Sequence, residues 1–272
     1  MSLFDRFKRR HFHRCAPSPA EIWSDLEAWY HTPMGQRLQQ LEQQALELVL
    51  PNLFGYHLVQ IGAIGPADLT ASSRISHRVT MAACRPSRSN PTVQFCGASD
   101  RLPIASDSVD VVLLPHVLEF SRHPHEVLRE VERILVAEGH VVMLSFNPFS
   151  LWGAWRLLAT WNQQLPWCGH FLSSTRLRDW LALLGFETVQ QHGYGFMPPW
   201  NTSHLARRLH WLEQPGQRFV PFAAGSSLVV AKKRVITLTP IRPRWHKRQQ
   251  PRWVTGGLVE PYTGAKRQRK VS

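Results

Sequence analysis

Short β-rich runs alternate with stretches of helical periodicity along most of the chain. Seven runs have the composition of strands: HLVQI (57–61), HRVTM (77–81), TVQFC (92–96), VDVVLL (109–114), HVVMLSF (140–146), ETVQQH (187–192) and SSLVVAK (226–232). A helix between two strands returns the chain to the same edge of the sheet, so strands joined in this way are parallel. The alternation therefore predicts an α/β fold with a mostly parallel sheet and helices on both faces.

Capping signals predict two helices before the first strand. Ser18-Pro19-Ala20-Glu21 supplies an N-cap, a proline at the first helical position and a capping-box glutamate, and Thr32-Pro33 repeats the cap and the proline. The second helix has an apolar face that ends before Pro51, formed by Leu38, Leu41, Ala45 and Leu48.

Two later helices are predicted in the same way. One runs from His125 to Leu135, with Gly139 just past its end. The other begins at Ser173 or Ser174, continues through Leu184 and is closed by Gly185.

The positive charge is concentrated at the C-terminal end. The 272 residues carry a net charge of +13, and Lys232–Ser272 alone has twelve Lys and Arg against one acid, Glu260. Because this segment has no apolar periodicity, residues 236–272 are predicted to be a disordered basic tail. Residues 240–272 could contact nucleic acid phosphates or an anionic membrane weakly, or could be a solvated extension only.

Other sequence features exclude several classes of protein. No apolar stretch is long enough to span a membrane, and the N-terminus has no apolar region typical of a signal peptide. The cysteines, Cys15, Cys84, Cys96 and Cys168, are scattered and form no CxxC pair, so neither a disulfide framework nor a metal site is predicted. A cytoplasmic protein is expected.

The chain divides into four predicted regions. Residues 1–17 are a basic flexible N-terminus that could touch a membrane surface, residues 18–54 a helical extension, residues 55–235 the sheet domain and residues 236–272 the tail. The sequence does not indicate an oligomeric state.

The stretch from Phe95 to Pro148 carries the most specific pattern. It contains in order Leu102-Pro103-Ile104, Ser108-Val109-Asp110, Val117-Leu118-Glu119-Phe120, LREVERIL (128–135) and Glu138-Gly139. In residues and spacing it resembles the class I S-adenosylmethionine-dependent methyltransferases, in the methyltransferase type 11 branch that includes ubiquinone, menaquinone and biotin pathway enzymes. It is most similar to a bacterial subgroup with N-terminal helices, Asn-Pro after the fifth strand, a basic tail and a degenerate glycine-rich motif.

This resemblance implies a Rossmann-like, doubly wound, seven-stranded sheet over residues 55–235, with S-adenosyl-L-methionine as cofactor. Ligands of such sheets bind beyond the carboxyl ends of the strands. The residues that would contact the cofactor are Gly62, Ala63, Ile64, Gly65, Ala98, Ser99, Asp100 and Pro115.

The chain departs from the family pattern at the cofactor motifs. Acids that the family has near the first three strand ends are replaced by Gln60, by Ala82 or Ala83, and by Ala98, with Asp100 two residues away. Ile64 and Pro66 stand where the family has glycines. Three lost hydrogen bonds of about 0.5–1.5 kcal/mol each weaken binding by roughly a hundredfold.

Four residues are candidates on the substrate side. His116 follows the fourth strand and could be a general base, although it could instead cap the helix that begins near Val117. Asn147, Trp152 and Trp155 follow the fifth strand and could line the substrate pocket, or could form a turn and core packing. Glu119 could pair with a backbone N–H.

Two functions follow from the resemblance and its departures. The first is a methyltransferase that moves a methyl group from S-adenosyl-L-methionine to a small or lipid-like acceptor. The alternative is a catalytically inactive methyltransferase-fold scaffold that engages RNA or a membrane-associated complex through its tail.

Overall fold

The computed structural model describes residues 19–82, 93–159, 166–196 and 223–235. All of them lie in the first of two units into which the chain divides, Met1–Val235 and Ile236–Ser272. The predicted flexible N-terminus and basic tail lie outside the described residues, as do Cys15, Cys84 and Ala83.

Seven strands of the described chain form one sheet, in the order β3-β2-β1-β4-β5-β7-β6. They are β1 (His57–Ile61), β2 (His77–Ala82), β3 (Val93–Cys96), β4 (Val109–Pro115), β5 (Leu135–Phe146), β6 (Phe186–Tyr194) and β7 (Ser226–Lys233). Strands β1 to β5 pair in parallel, whereas β7 is antiparallel to both β5 and β6. The predicted mostly parallel α/β sheet is confirmed.

The first two helices and the last begin where their capping residues predict. They are α1 (Pro19–Tyr30), α2 (Pro33–Glu47), α3 (Val117–Phe120), α4 (Pro124–Ile134), α5 (Leu151–Ala159) and α6 (Ser174–Leu183), with a 3₁₀ turn at Leu50–Asn52. The side chains of Thr32 and Ser173 accept hydrogen bonds from the first turns of α2 and α6. Gly185 follows α6 at φ +81°, the left-handed conformation that ends a helix.

Two details of the predicted helices were wrong. Helix α2 ends at Glu47, so Leu48 leaves the apolar face and is 66% exposed, while Leu46 is buried. Helix α4 ends at Ile134 and β5 begins at once, so Gly139 does not close the helix. It lies instead where the pairing of β4 with β5 shifts register, next to Glu138 at φ +64°.

The two faces of the sheet carry separate apolar cores, because side chains alternate along a strand. Leu58 of β1 packs in the layer that contains α1 and α2, whereas Val59 and Ile61 pack in the layer that contains α4 and α6. The N-terminal helices therefore cover one face of the sheet.

Arg133 of α4 shows what the LREVERIL motif does in the structure. Its guanidinium donates to the carbonyls of Leu102 (3.1 Å) and Ile104 (2.9 Å) and pairs with Glu130, which in turn accepts from the Leu102 N–H at 2.9 Å. The pair fixes the segment between β3 and β4 to the helix.

The strand order reverses direction between β1 and β4. Successive strands from β1 to β3 are added on one side of β1, and β4 on the other, so the loops after β1 and β4 diverge there. Such a switch point is where open α/β sheets bind ligands. No helix among the described residues is long and apolar enough to cross a membrane.

Candidate functional site

The turn after β1 begins with Gly62, which has φ +91°. Its N–H donates to the Met81 carbonyl of β2 at 2.8 Å, and its own carbonyl accepts from Gln60 Nε2 at 2.9 Å. Gln60 thus stands in the place of the family's acid and holds the turn of its own chain.

Side chains of the N-terminal helices lie directly against this turn. A Cβ on Gly62 would meet Val117 Cγ2 at 3.0 Å and Trp23 Cη2 at 3.2 Å, and a Cβ on Gly65 would meet Gln39 Nε2 at 2.6 Å. Gln39 Nε2 also donates to the Ile64 carbonyl at 3.3 Å. The positive φ of both residues, +91° and +67°, together with these contacts favours glycine at both positions.

The other residues predicted for the cofactor lie at the same edge. Ile64 is buried in the core and Ala63 half-buried, while Pro115 ends β4 beside Leu144. The three residues after β3, Ala98, Ser99 and Asp100, form a turn in which the Arg101 N–H donates to the Ala98 carbonyl at 3.1 Å. Ala98 is exposed and Asp100 half-buried, so a carboxylate lies near the place of the missing acid.

His116 lies between two carboxylates in the interior. Its Nδ1 is 2.7 Å from Glu119 Oε2 and its Nε2 is 2.9 Å from Glu42 Oε1, and the ring stacks on Phe146 with centroids 4.1 Å apart. His116 precedes α3 as its N-cap residue at φ +52°, but its side chain makes no capping hydrogen bond. It is thus at the predicted helix boundary, in a left-handed conformation that histidine adopts more readily than most residues.

The carboxylates keep this histidine charged. Burial lowers the pKa of His116, but the charge and hydrogen bond of Glu119, and then those of Glu42, outweigh burial and raise the pKa to about 10. Burial raises the pKa of Glu119. Both Glu119 oxygens accept hydrogen bonds, one from His116 and one from the backbone N–H of Phe146, which favours the carboxylate form.

Glu42 is the functional candidate that sequence reasoning missed. It lies on α2 three residues after Gln39, so one helix face touches both the turn after β1 and the turn after β4. Glu42 Oε1 accepts from Tyr30 at 3.0 Å as well as from His116. The signal in the sequence was a charged residue between Leu38 and Ala45, at a position of the apolar face.

Glu42 Oε2 is buried and has no hydrogen-bond partner among the described residues. Burial raises the pKa of the Tyr194 hydroxyl, and a hydrogen bond with the Ser226 side chain lowers it. Tyr194 ends β6 and Ser226 begins β7, and the two residues are paired across these strands. Within the same part of the chain, no group of three or more His, Cys, Asp or Glu side chains is arranged to hold a metal ion.

The predicted substrate residues adjoin His116 through Phe146. The Phe146 ring stacks on Trp152 with centroids 5.8 Å apart, and Trp152 is buried. Asn147 forms a turn, because its side chain accepts from the Phe149 N–H and donates to the Ala224 carbonyl, both at 3.0 Å. Trp155 is 37% exposed. Turn formation and core packing are thus both present, and a substrate role for these residues stays a prediction.

Comparisons with known proteins agree with this architecture. Residues 55–143 match a family model described as a methyltransferase domain. The chain is 30% identical over 226 residues to a protein of Escherichia coli (strain K12) described as uncharacterized protein YafS, which covers 83% of this chain and 88% of YafS.

Solved structures share the fold at low sequence identity. A SAM-dependent methyltransferase of Thermotoga maritima, described as a possible histamine N-methyltransferase, is 18% identical, with a TM-score of 0.53 over 72% of this chain and 89% of that one. An S-adenosylmethionine-dependent methyltransferase of Mesorhizobium loti is 17% identical, with a TM-score of 0.51 over 72% of this chain and all (100%) of that one. The chain therefore belongs to the same family as YafS, and its residues 55–143 match the model of a methyltransferase domain.

Proposed function

We propose that this protein is an S-adenosyl-L-methionine-dependent methyltransferase that methylates a small or lipid-like acceptor. The observation that carries the proposal is the methyltransferase domain of residues 55–143, whose turn after β1 lies at the switch point of the sheet. The fold of solved SAM-dependent methyltransferases supports it.

The residues at this edge fit the cofactor only in part. The backbone of residues 62–65 and the turn at residues 98–100 would hold it, and it would supply an electrophilic methyl group. The acids of the family pattern are absent, and Trp23 and Gln39 lie against the glycines. Binding therefore requires these side chains to move.

The predicted base role of His116 needs a ring nitrogen with a free lone pair. Both nitrogens are engaged by carboxylates, and the raised pKa keeps both protonated at neutral pH. We propose that His116 acts instead as a positioning residue, which ties α2 to the turn after β4 through Glu42.

Calorimetric titration with S-adenosylmethionine and S-adenosylhomocysteine tests the cofactor proposal. We expect micromolar binding that Gly62→Arg abolishes. Gly185→Arg is the matched control, because Gly185 also has a positive φ but its Cβ would meet nothing closer than 3.7 Å. No binding to the native protein up to about 1 mM would refute the proposal.

The covered glycine turn favours a second candidate, a methyltransferase-fold scaffold without turnover. This candidate places partner binding, to RNA or to a membrane-associated complex, in residues 240–272. It predicts that deletion of these residues abolishes association with RNA or anionic vesicles and leaves thermal stability unchanged. Association that persists without the tail would exclude it.

A further inference from the structure

The N-terminal helices lie across the turn that the proposed function assigns to the cofactor. A Cβ built on Gly62 would be 3.2 Å from Trp23 Cη2 of α1, and a Cβ built on Gly65 would be 2.6 Å from Gln39 Nε2 of α2. Carbon atoms in contact are about 3.5–4.0 Å apart, so no ligand atom fits between either glycine and the side chain that faces it. We call Trp23, Gln39 and the two helices that carry them the helical cover.

Trp23 fills the crevice between the turns after β1 and β4. The edge of its ring lies on Gly62, and the ring meets Phe120 of α3 edge to face, with centroids 6.4 Å apart. Trp23 packs against the apolar cores of both faces of the sheet. A side chain of the protein therefore occupies the switch point, which is where open α/β sheets bind ligands.

Gln39 occupies the turn after β1 in two ways. Its amide fills the space beside Gly65, and its Nε2 donates to the Ile64 carbonyl at 3.3 Å. The Gln39 side chain is buried, and a buried amide that loses its partner is costly. A ligand that approaches this part of the backbone has to displace Gln39 and replace its hydrogen bond.

The helical cover is fastened on both sides of the crevice. Gln39 bonds to the turn after β1, and Glu42, three residues further along α2, is 2.9 Å from His116 in the turn after β4. Tyr30 of α1 donates to Glu42 at 3.0 Å, which joins the two helices. Buried contacts therefore stabilise the closed arrangement, and opening it costs free energy that is lost from the affinity for a ligand.

The connection from β1 to β2 explains how the helical cover reaches the turn. Residues 62–76, all of them described, contain no helix, whereas parallel strands are usually joined through one. Three apolar side chains of this connection, Ile64, Leu69 and Ile75, pack in the same core as α1 and α2. The N-terminal helices thus lie against a turn that has no helix of its own.

We propose that the helical cover is an autoinhibitory device, which must open at Trp23 and Gln39 before S-adenosyl-L-methionine reaches the turn after β1. The inference rests on the proposed function and adds the regulation of its site. A protein of which only a fraction is competent to bind has its affinity reduced by that fraction. Side chains that stabilise the closed form therefore weaken cofactor binding, and their removal strengthens it.

Calorimetric titration of the full chain with S-adenosylmethionine and S-adenosylhomocysteine tests the helical cover. We expect Trp23→Ala to bind both about 10–100-fold more tightly than the native protein, because the contacts of a half-buried aromatic side chain no longer hold the cover closed. Gln39→Ala removes a smaller side chain and one hydrogen bond, and should tighten binding about 2–10-fold. It keeps the test decisive should Trp23→Ala fail to fold.

Matched variants separate opening of the cover from a general loosening of the fold. Trp180→Ala removes a half-buried tryptophan of α6, whose ring lies against His125 and Arg176. Gln40→Ala makes the smaller change at the exposed neighbour of Gln39. Both control variants should bind the cofactor with the affinity of the native protein.

The outcomes distinguish the cover from the proposed function. Binding by Trp23→Ala and Gln39→Ala that is equal to that of the native protein, or weaker, would overturn the cover and leave the cofactor proposal standing. Binding by Trp23→Ala with none by the native protein up to about 1 mM would support the cover and refute the cofactor proposal for the native chain.

Hydrogen exchange decides the case in which no form binds the cofactor and the proposed function fails. The backbone amides of residues 62–65 are compared in the native protein, Trp23→Ala and Trp180→Ala. Faster exchange in Trp23→Ala alone would support the cover, because the turn would then open more often. Equal exchange in all three proteins would overturn it.

Discussion

Glu42 and Glu119 both contact His116, but only Glu119 has a hydrogen bond at its second carboxylate oxygen as well. Replacing each of them by glutamine should therefore lower the free energy of unfolding by different amounts. Glu119 uses one oxygen for His116 and the other for the Phe146 N–H. Glu42 uses Oε1 for both His116 and Tyr30, and its Oε2 has no partner among the described residues.

Glu42→Gln can therefore keep every hydrogen bond by turning its amide nitrogen toward the Oε2 position. The amide oxygen is a weaker acceptor for the two donors, and the amide N–H groups stand where an oxygen already had no partner, so we expect a cost of about 2 kcal/mol. Glu119→Gln cannot do so, because its amide nitrogen must face either the Phe146 N–H or the His116 Nδ1–H. A buried donor then loses its partner, and we expect about 3–5 kcal/mol.

Urea unfolding at pH 7 measures the free energy of unfolding of both variants, and thermal unfolding measures their Tm as an independent check. With a Tm change of about 2–4 °C per kcal/mol in a domain of this size, we expect decreases of about 5 °C for Glu42→Gln and about 10 °C or more for Glu119→Gln. Equal costs, or a greater cost for Glu42→Gln, would refute this assignment of the hydrogen bonds of the two glutamates.

Three further predictions concern stability. The pKa of His116 is raised from 6.5 to about 10, so its contribution to stability is fully present below pH 6.5 and is lost as the pH rises through 10. The free energy of unfolding, measured with urea, should therefore fall between pH 7 and 10 by at most about 1.4 kcal/mol per pH unit, and a fall as steep in His116→Gln would contradict this assignment. Gly62→Ala should destabilise the protein by at least about 1 kcal/mol more than Gly185→Ala in urea unfolding, because both have positive φ but only Gly62 is crowded by Val117 and Trp23; equal costs would show that the crowding is relieved. Arg133→Lys should cost about 1–3 kcal/mol, since lysine cannot reach two carbonyls and Glu130 together, whereas the exposed Arg129→Lys in the same helix should cost almost nothing in the same assay.

Local patterns in the sequence were enough to predict most of the secondary structure and the class of fold. Thr32-Pro33 and Ser173 mark helix starts because a cap bonds to residues of its own first turn. Strand β1 was predicted with its observed bounds, since its apolar run is buried on both faces. Errors occurred at Leu48 and Gly139, where a helix ended earlier than the periodicity suggested.

The position of the candidate site was predicted from the sequence, because ligand-binding turns come after strands in this fold. Gly62, His116 and Asn147 were placed at one edge of the sheet for that reason, and the structure brings them there. Their roles were not determined, since a role depends on what each side chain contacts.

Only the tertiary structure decided those contacts. Glu42 and His116 are 74 residues apart in the chain, and no local pattern pairs them. Trp23 and Gln39 reach the glycine turn because α1 and α2 pack on one face of the sheet, a choice made by burial across the whole domain. Sequence periodicity reports which side of an element is buried, whereas packing of distant elements determines which side chains meet there, and in this protein that packing brings Glu42 against His116.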